Sequence, residues 1–589
     1  MIDRSARPSS GNPSRHLPSA FTASRRTLLQ TSAAVGTGGL LAACTGTGGG
    51  EGRATTLYTT GLQDGAPTNF NPLGWTAAWP VGNFAVYLYE TLLNFNLLTG
   101  EAEPFLASGL EWADNVGTAT LHEGTTWQDG TPLTSADVVA TFRLADRNPG
   151  IGYGDIWTYI ESIEAPDDRT VVFTLDPQSP QRLRLTDLLC FTYILPAHVW
   201  DQVADDALTE DPNLEPLGSG PYKVASHTHQ DVTLERHDDY WGNEVHGKPV
   251  PEKVVHAIYE GNDAANLSFQ NGDTDVSAHF LPRVNELWED RGLPVKTWDT
   301  AAPYHLPGSI PMLIINTVEG PLADARVRRA LAHAIDYAKI AESAMAGMSE
   351  PAHASVILPQ GAESVHFNAE AAAAGWSYDP AETARILEEE VGAAKGGDGV
   401  YVLPDGTRLG PFVAATPQGW TDWNAALDIV ATTATEAGIE VVTEFSDWSE
   451  VNDNLGNGAF DMVLWYVSDV APSSPWSRIR DLLDDRDVPP AGEMAFWNFG
   501  RFHHDAVPAL LDEAATAPDA ESATAAYTQL DDIIRAEAPA IPLMYRPLEF
   551  FQFSEKNWTG FPTSEDPYCA PMQGMTGIQI LSKIKPVEQ

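Results

Sequence analysis

The stretch LHEGTTWQDGTPLTSADV occupies residues 121–138 and carries three local signals in succession. Its opening residues, up to Trp127, are rich in β-forming side chains and predict a strand. The Asp129-Gly130 pair predicts the tight turn that follows, because glycine accepts a positive φ without steric cost. Ser135 is then expected to cap a helix that continues through Phe142. A strand, a turn and a helix in this order indicate an α/β protein.

Strands and helices continue to alternate on both sides of this stretch. Residues 57–60 and residues 170–175 are runs of β-forming side chains. Asp324 is expected to cap a helix with one apolar face, formed by Val327, Ala330, Leu331, Ala334, Ile335 and Ala338. No repeat of solenoid length occurs along the chain. The pattern predicts an α/β protein with several sheets.

Residues 412–443 predict a βαβ unit. A strand over residues 412–415 leads through a loop with Trp420 into a helix, and a second strand is expected over residues 439–443. Gly438 is the expected C-cap of that helix. Open α/β sheets bind ligands beyond the carboxyl ends of their strands, so the loop around Trp420 is expected to face a ligand.

The amino terminus indicates export. The pair Arg25-Arg26 precedes a mildly apolar stretch that ends at Leu41-Ala42-Ala43-Cys44 and is too short and too polar for a membrane-spanning helix. We expect residues 1–43 to be a twin-arginine-type lipoprotein signal peptide, Cys44 to be acylated, and residues 44–53 to be a flexible tether. The protein would then be lipid-anchored to the outer face of the cytoplasmic membrane. An ordinary secretory signal with a chance cysteine is the alternative.

Net charge and cysteine content limit the kinds of binding partner and of covalent cross-link that this chain is expected to have. The 589 residues carry a formal charge of −47, and the part from Cys44 onward has 29 basic against 80 acidic side chains, a charge of −51. Such an acidic chain is not expected to bind nucleic acid or an anionic membrane through a basic face. Two cysteines follow Cys44, Cys190 and Cys569; a disulfide and two unpaired thiols both remain open.

Five landmarks, in order along the chain, resemble the family 5 extracellular solute-binding proteins, the peptide, nickel and oligosaccharide receptors of ABC importers. The first is the stretch at residues 121–138. The others are Gly218-Ser219-Gly220-Pro221-Tyr222 with Leu234, Glu235, Arg236 and Tyr240; residues 324–331 with Ala334, Ile335 and Asp336; Tyr378-Asp379-Pro380 with Ala384 and Leu387; and Tyr527, Leu530 and Ile534 with residues 539–543.

This resemblance implies a two-lobed, periplasmic-binding-protein-like α/β fold with a hinge and an extra subdomain, of the cluster C type. Lobe I is expected from residues 54–86, 216–305 and 546–589, with residues 87–215 as a subdomain packed on it, and lobe II from residues 306–545. The implied partners are a small-molecule solute and an ABC permease of the cytoplasmic membrane, and the receptor is expected to be a monomer. The arginine-rich helix after Asp324 and the glycines at 218 and 220 are interpreted as structural.

No residue constellation predicts catalysis. His122-Glu123 begins like a zinc-protease helix, but Thr126 stands where the second histidine would be. Gly218-Ser219-Gly220 lacks the spacing of a nucleophile elbow. We therefore expect no enzyme, no cofactor and no metal site.

The predicted ligand site is rich in tryptophan, whose flat ring covers the apolar face of a sugar. The candidate ligand-binding residues are Trp75, Trp79, Trp420, Trp423, Trp465, Tyr466, Asp469, Trp476, Asn498 and Arg501. Residues 471–476, 498–502 and 556–562 resemble the cello- and xylo-oligosaccharide receptors of the family, which favours a β-linked oligosaccharide. Asp469 matches the position that pairs with the ligand's α-amino group in peptide receptors, so an oligopeptide is the alternative. A secreted carbohydrate-active enzyme is a further alternative.

Overall fold

The computed structural model describes residues 53–62, 70–73, 85–259, 261–467, 475–547 and 549–588. Residues 1–52, with Cys44, and the predicted ligand residues Trp75, Trp79 and Asp469 lie outside this described part. The helices are Ala85–Leu88, Ser135–Arg147, Arg182–Phe191, Ala197–Trp200, Asn262–Asn271, Glu286–Glu289, Ala325–His333, Tyr337–Lys339, Ala369–Ala373, Pro380–Arg385, Thr421–Ala437, Trp448–Asn457, Trp476–Leu483, Val507–Thr516, Ala520–Glu537 and Gln573–Lys583.

The largest sheet joins segments that are far apart in the sequence. Its central strand, Thr56–Leu62, pairs in parallel with Lys253–Ile258 on one side and with Val276–Ser277 on the other. Across the sheet the strand order is Val295–Lys296, Gln552–Ser554, Val276–Ser277, Thr56–Leu62, Lys253–Ile258, Asp231–Arg236 and Tyr222–His227. A strand near each end of the described chain therefore lies in one sheet.

A second sheet contains the predicted βαβ unit. Phe412–Pro417 and Val441–Ser446 pair in parallel, and the helix Thr421–Ala437 connects them. The helix ends at Gly438, whose φ of +101° is the left-handed conformation that glycine adopts without a steric penalty. The full order is Val441–Ser446, Phe412–Pro417, Met462–Trp465, Met312–Ile315 and Ala540–Pro542.

A third sheet, which is antiparallel, lies in the chain segment between Thr56–Leu62 and Tyr222–His227 of the large sheet. Its strand order is Ala107–Ala113, Val116–Leu121, Thr170–Leu175 and Ile160–Glu164. The pattern of alternating burial along Thr170–Leu175 places Phe173 against Phe142 of the helix Ser135–Arg147, with ring centroids 5.8 Å apart. Short antiparallel pairs are Leu93–Asn96 with Glu101–Pro104, Ala394–Lys395 with Tyr401–Val402, and Trp558–Thr559 with Lys585–Pro586.

Two hydrophobic cores divide the described residues. One contains the buried side chains of the third sheet and its helices together with Leu57, Leu234, Val254 and Phe553 of the large sheet. The other runs from Phe269 to Phe550 and surrounds the second sheet. This second core includes residues that precede residue 305, the predicted end of the 216–305 segment of lobe I. Phe280, for example, packs on Phe550 with ring centroids 5.3 Å apart. The predicted domain boundaries stay a prediction.

Two adjacent segments carry the chain between the large sheet and the second sheet. Pro307–Ser309 leads towards the second sheet, Arg546–Pro547 leads back, and the two pair as antiparallel strands. Backbone hydrogen bonds between the crossing segments hold them side by side, an arrangement suited to a hinge.

The structure confirms the α/β class but corrects several local predictions. The strand in the opening stretch ends at Leu121, not at Trp127. The N-cap is Thr134, whose backbone N–H donates to Asp137 Oδ2 at 2.8 Å, whereas the Ser135 hydroxyl donates to the carbonyl of Asp167. Ala338 is exposed, because the helix capped by Asp324 ends at His333.

The glycines at 218 and 220 are structural, as interpreted from the sequence. They approach the backbone of the helix Ala85–Leu88 so closely that a Cβ atom would lie 1.8 Å from the Leu88 carbonyl oxygen at Gly218 and 2.4 Å from the Tyr87 carbonyl oxygen at Gly220. Close backbone packing explains why these two positions are glycine.

Both later cysteines are buried, unpaired thiols. Burial raises the pKa of Cys569 to about 12 and raises that of Cys190 as well, so neither is a reactive thiolate at neutral pH. In the described ranges, no helix is both long enough and apolar enough to cross a membrane.

Arg328, in the helix Ala325–His333, is a packing element as predicted. Its side chain is 3% exposed, and its guanidinium donates to the carbonyl oxygens of Glu537, Leu322 and Ala323 at 2.8–2.9 Å. These bonds tie the helix to the end of Ala520–Glu537.

We predict that Arg328→Met lowers the free energy of unfolding by about 3 kcal/mol, because it leaves buried carbonyl oxygens without donors. Arg326→Met is the matched control: Arg326 is 46% exposed and forms a surface ion pair with Asp324, so a loss below about 1 kcal/mol is expected. Urea unfolding followed by circular dichroism measures both. Equal losses would contradict the assignment.

Candidate functional site

Four of the predicted aromatic residues form one cluster at the carboxyl ends of two parallel strands. Trp420 follows the strand Phe412–Pro417; Trp465 ends the neighbouring strand, and Tyr466 comes directly after it. The Trp420 and Trp465 rings are stacked, with centroids 5.9 Å apart and planes 19° apart, and the Trp465 and Tyr466 rings are stacked at 5.8 Å and 8°. We call Trp420, Trp465 and Tyr466 the aromatic platform.

Trp423 supports this platform from within the core. It is 1% exposed and stands edge-on to Trp420, with centroids 4.8 Å apart and planes 86° apart. The helical turn that begins at Thr421 points its side chain inward. Trp420 and Tyr466 are partly exposed, whereas Trp465, stacked between them, is buried at 7% exposure and offers little surface to the predicted ligand. The structure therefore corrects the prediction that Trp423 faces the ligand.

Polar contacts fix the loop that carries Trp420 against the rest of the molecule. Asp422 is buried, and its Oδ2 accepts a hydrogen bond from Arg546 Nε at 2.9 Å. Asn262, at the start of the helix Asn262–Asn271, donates to the Thr421 hydroxyl at 2.9 Å. Arg546 belongs to the hinge strand pair, so the loop contacts both the hinge and the part of the chain that carries the large sheet.

Buried histidines lie around Arg546. Burial and, second, the positive charge of Arg546 lower the pKa values of His279 and His305 to about 3. His279 Nε2 lies 2.9 Å from the Thr60 hydroxyl oxygen. Both imidazoles are neutral at pH 7, so Arg546 supplies the positive charge of this region, and Asp422 compensates it.

Trp476 contacts residues outside the platform. Its indole N–H donates to the Leu511 carbonyl at 2.9 Å, and the Arg184 guanidinium covers its ring, 4.6 Å from the centroid. Because Arg184 covers this ring, less of the indole is available to the ligand that the sequence predicts at Trp476.

Asn498 and Arg501 stabilise a loop through its backbone. Asn498 is fully buried; its amide donates to the Phe502 carbonyl at 2.7 Å and its Oδ1 accepts from the Phe502 N–H at 2.8 Å. Arg501 donates to the carbonyl oxygens of Pro489, Phe499, Gly456 and Glu493 at 2.8–3.0 Å. Because these side chains are already fully engaged, the structure revises their predicted role as polar ligand partners.

Sequence reasoning missed Asp422, Arg546 and Asn262. Asp422 stands between Trp420 and Trp423, so its position could have been noticed, but Arg546 is 124 residues away and no local pattern pairs the two. Within the part of the chain that the structure describes, no three His, Cys, Asp or Glu side chains group closely enough to hold a metal ion.

Comparison with known proteins identifies the family. The family model described as "Bacterial extracellular solute-binding proteins, family 5 Middle" matches residues 101–486, more than half of the chain. The chain belongs to this family. Family 5 proteins are substrate-binding receptors of ABC transporters and not enzymes, as the absence of a catalytic pattern in the sequence predicts.

A solved structure is similar to this chain over most of its length. The mannohexaose-bound oligopeptide ABC transporter, periplasmic oligopeptide-binding protein from Thermotoga maritima is 32% identical and has a TM-score of 0.85; the match covers 91% of this chain and 99% of that one. The two-lobed family 5 fold predicted from the sequence is thereby confirmed.

Two curated family relatives differ in how much of their length is matched. A putative ABC transporter peptide-binding protein from Brucella ovis is 26% identical over 491 residues, which are 80% of this chain and 83% of that protein. A probable peptide-binding protein from Agrobacterium fabrum is 28% identical over 256 residues, 40% of each. The chain thus spans less than half the length of the second relative.

We predict that Asn498→Ala destabilises this family 5 protein by about 2 kcal/mol, because it leaves a buried backbone N–H and a carbonyl of Phe502 without partners. Ligand affinity, measured on the folded fraction, should change less than twofold. Asn424→Ala, which removes a hydrogen bond from a partly exposed amide to the Pro417 carbonyl, is the control with a smaller expected loss. Thermal unfolding and calorimetry check the two quantities. A large loss of affinity without a loss of stability would restore Asn498 to the ligand site.

Proposed function

We propose that this chain captures an oligosaccharide of the β-linked, cello- or xylo-oligosaccharide type in the cleft between its lobes and delivers it to an ABC permease. The observation that carries the proposal is the aromatic platform. Its rings lie nearly parallel, at 19° and 8° to their neighbours, at the carboxyl ends of parallel strands. The partly exposed rings of Trp420 and Tyr466, backed by the buried Trp465, offer flat surface that suits the apolar face of a pyranose ring.

Polar contacts beside the platform hold the loop that carries Trp420 in place. Buried Asn262 donates to the Thr421 hydroxyl and buried Asp422 pairs with Arg546, so these groups position the Trp420 ring for a sugar. Trp75, Trp79 and Asp469 are proposed as further ligand residues from their places in the sequence. Lobe closure would exclude water from these polar contacts and strengthen them.

The Thermotoga maritima protein supports the same ligand class. Its structure contains mannohexaose, and at 32% identity it matches 91% of this chain. Because the two chains share 32% of their residues over most of their length, we propose a related ligand chemistry for this chain.

An oligopeptide is the second candidate. The Brucella ovis and Agrobacterium fabrum relatives are both named as peptide-binding proteins. A peptide with a free amino terminus would require a carboxylate at the platform, and Asp469, which follows the strand Met462–Trp465, is the proposed residue.

We further propose that a twin-arginine signal exports the chain and that acylated Cys44 anchors it to the outer face of the cytoplasmic membrane. The support is the sequence Arg25-Arg26 and the small residues that precede Cys44. Two or three acyl chains would hold the receptor firmly, and a single chain would not. The monomeric state stays part of the proposal.

For the ligand class, we predict that Trp420→Ala weakens oligosaccharide binding about 60-fold, because the loss of about 100 Å² of apolar contact at ~25 cal/mol per Å² is ~2.5 kcal/mol. Trp448→Ala, which removes a partly buried tryptophan outside the platform, is the control and should leave affinity within twofold. Calorimetry with mannohexaose, cellopentaose and xylopentaose measures both variants.

The same titrations separate the two ligand classes. Asp469→Asn should cost oligosaccharide binding about 1–3 kcal/mol, with no dependence on a charged end group. In a peptide receptor it would abolish binding of peptides with a free amino terminus. Tight peptide binding lost in Asp469→Asn, with no heat from any oligosaccharide, would replace the first candidate with the second.

For anchoring, we predict that Cys44→Ala moves the protein from the membrane fraction to the soluble fraction, because no acyl chain can be attached. Replacing Arg25 and Arg26 by lysine should retain the precursor in the cytoplasm. Cys569→Ala, a change at a buried thiol, is the control for thiol loss and should leave the fractionation unchanged. Firm membrane attachment of the Cys44→Ala protein would contradict the lipoprotein proposal.

A further inference from the structure

The helix Arg182–Phe191 contributes to one hydrophobic core and contacts a helix of the other. Its buried residues Leu185 and Leu189 belong to the core shared with the large sheet. The same helix contacts Val507–Thr516, whose Val507 and Leu511 belong to the core around the second sheet. Side chains near this helix therefore connect two parts of the molecule that have separate cores.

Arg184 lies between aromatic rings of the two parts. Its guanidinium carbon is 4.2 Å from the ring centroid of Tyr159, which is 1% exposed in the first core, and 4.6 Å from the ring centroid of Trp476, which packs on the second. A guanidinium between two aromatic faces gains cation–π attraction from both. Trp476 completes this stack from the second part of the molecule.

Asp155 adds a charged link at the same place. Its carboxylate pairs with Arg184 and lies 3.8 Å from Nη2 of Arg480, which belongs to the helix Trp476–Leu483. Arg480 is held in turn over Trp497, 4.2 Å from the ring centroid. One carboxylate from the first part thus faces two arginines, one from each part. The side chains of Arg184 and Arg480 are 17% and 22% exposed, so the pairs are partly shielded from solvent.

We propose that Asp155, Arg184, Trp476 and Arg480 form a clasp across the two lobes that sets how far the receptor is closed. The inference rests on the proposed function, in which closure of the lobes traps the solute. Rotation about the hinge pair Pro307–Ser309 and Arg546–Pro547 separates the two sides of the clasp. Because the two sides of the clasp lie on different parts of the molecule, opening of the lobes would break these contacts, and the clasp would stabilise the closed state.

This role predicts a specific kinetic pattern. Loss of the clasp lowers the closed population, so a bound solute dissociates faster while its association with the open receptor is unchanged. A residue that touches the solute directly would instead alter affinity without changing the shape of the free receptor. The shape of the ligand-free protein is therefore the readout that distinguishes a clasp from a ligand contact.

The experiment compares the full chain with the variants Arg184→Ala and Arg480→Ala by small-angle X-ray scattering, with and without mannohexaose. Arg182→Ala is the matched control, because Arg182 stacks on Trp112 at 4.8 Å and donates to the Asp114 carbonyl, both within the first part. Both clasp variants should give a larger radius of gyration than wild type and the control. If mannohexaose binds, stopped-flow fluorescence should show about tenfold faster dissociation in each.

The outcomes separate the two proposals. A scattering difference in the clasp variants without binding of mannohexaose, cellopentaose or xylopentaose supports the clasp and counts against the proposed ligand class. Scattering of wild type and both clasp variants that is indistinguishable in both conditions overturns the clasp. It is overturned equally if Arg182→Ala expands the protein as much as Arg184→Ala, since the effect would then be a general loss of packing.

Discussion

The ion pair between the buried carboxylate of Asp422 and the partly exposed guanidinium of Arg546 constrains how the two lobes meet. Arg546 starts one of the two strands that connect the sheets, and Asp422, at 1% exposure, supplies the compensating carboxylate from the first turn of the helix Thr421–Ala437. An uncompensated buried charge costs several kcal/mol, so the helix start must lie beside the hinge. That requirement sets the position of Trp420, two residues earlier, and with it the position of the platform. Burial, and second the positive charge of Arg546, lower the pKa values of His279 and His305 and keep both imidazoles neutral at pH 7.

A second constraint attaches the segment with the third sheet to the large sheet. Glu90 is fully buried, and the Trp241 indole donates to its carboxylate at 2.8 Å while the Tyr240 hydroxyl donates to the other oxygen. Burial raises the pKa of Glu90 to about 7, and the hydrogen bonds oppose this shift. The protonated form, favoured in the folded state, adds stability at pH values below about 4.5, and this contribution is lost as the pH rises through 7. Gly218 and Gly220 bring the backbone close enough for this packing.

Local sequence patterns predicted much of the fold. The strand Thr170–Leu175, the βαβ unit with its C-cap at Gly438 and the cap at Asp324 all occur as expected, because each depends on neighbouring residues. Ser135 and Thr134 show the limit: both residues suit an N-cap, and the partner Asp137 decided between them. The landmark motifs were sufficient to place the chain in its family, and the match over residues 101–486 confirms it.

The candidate site was predicted less completely. The sequence by itself determined which aromatic residues follow the strands, and hence that Trp420 and Trp465 come together at one sheet edge. It did not determine which of them are exposed. Trp423 turns into the core, Asn498 and Arg501 are engaged by backbone groups, and Asp422 meets Arg546 from a position 124 residues away. Tertiary structure alone decided these points, because burial and long-range pairing depend on how the sheets pack, and local periodicity carries no information about that packing.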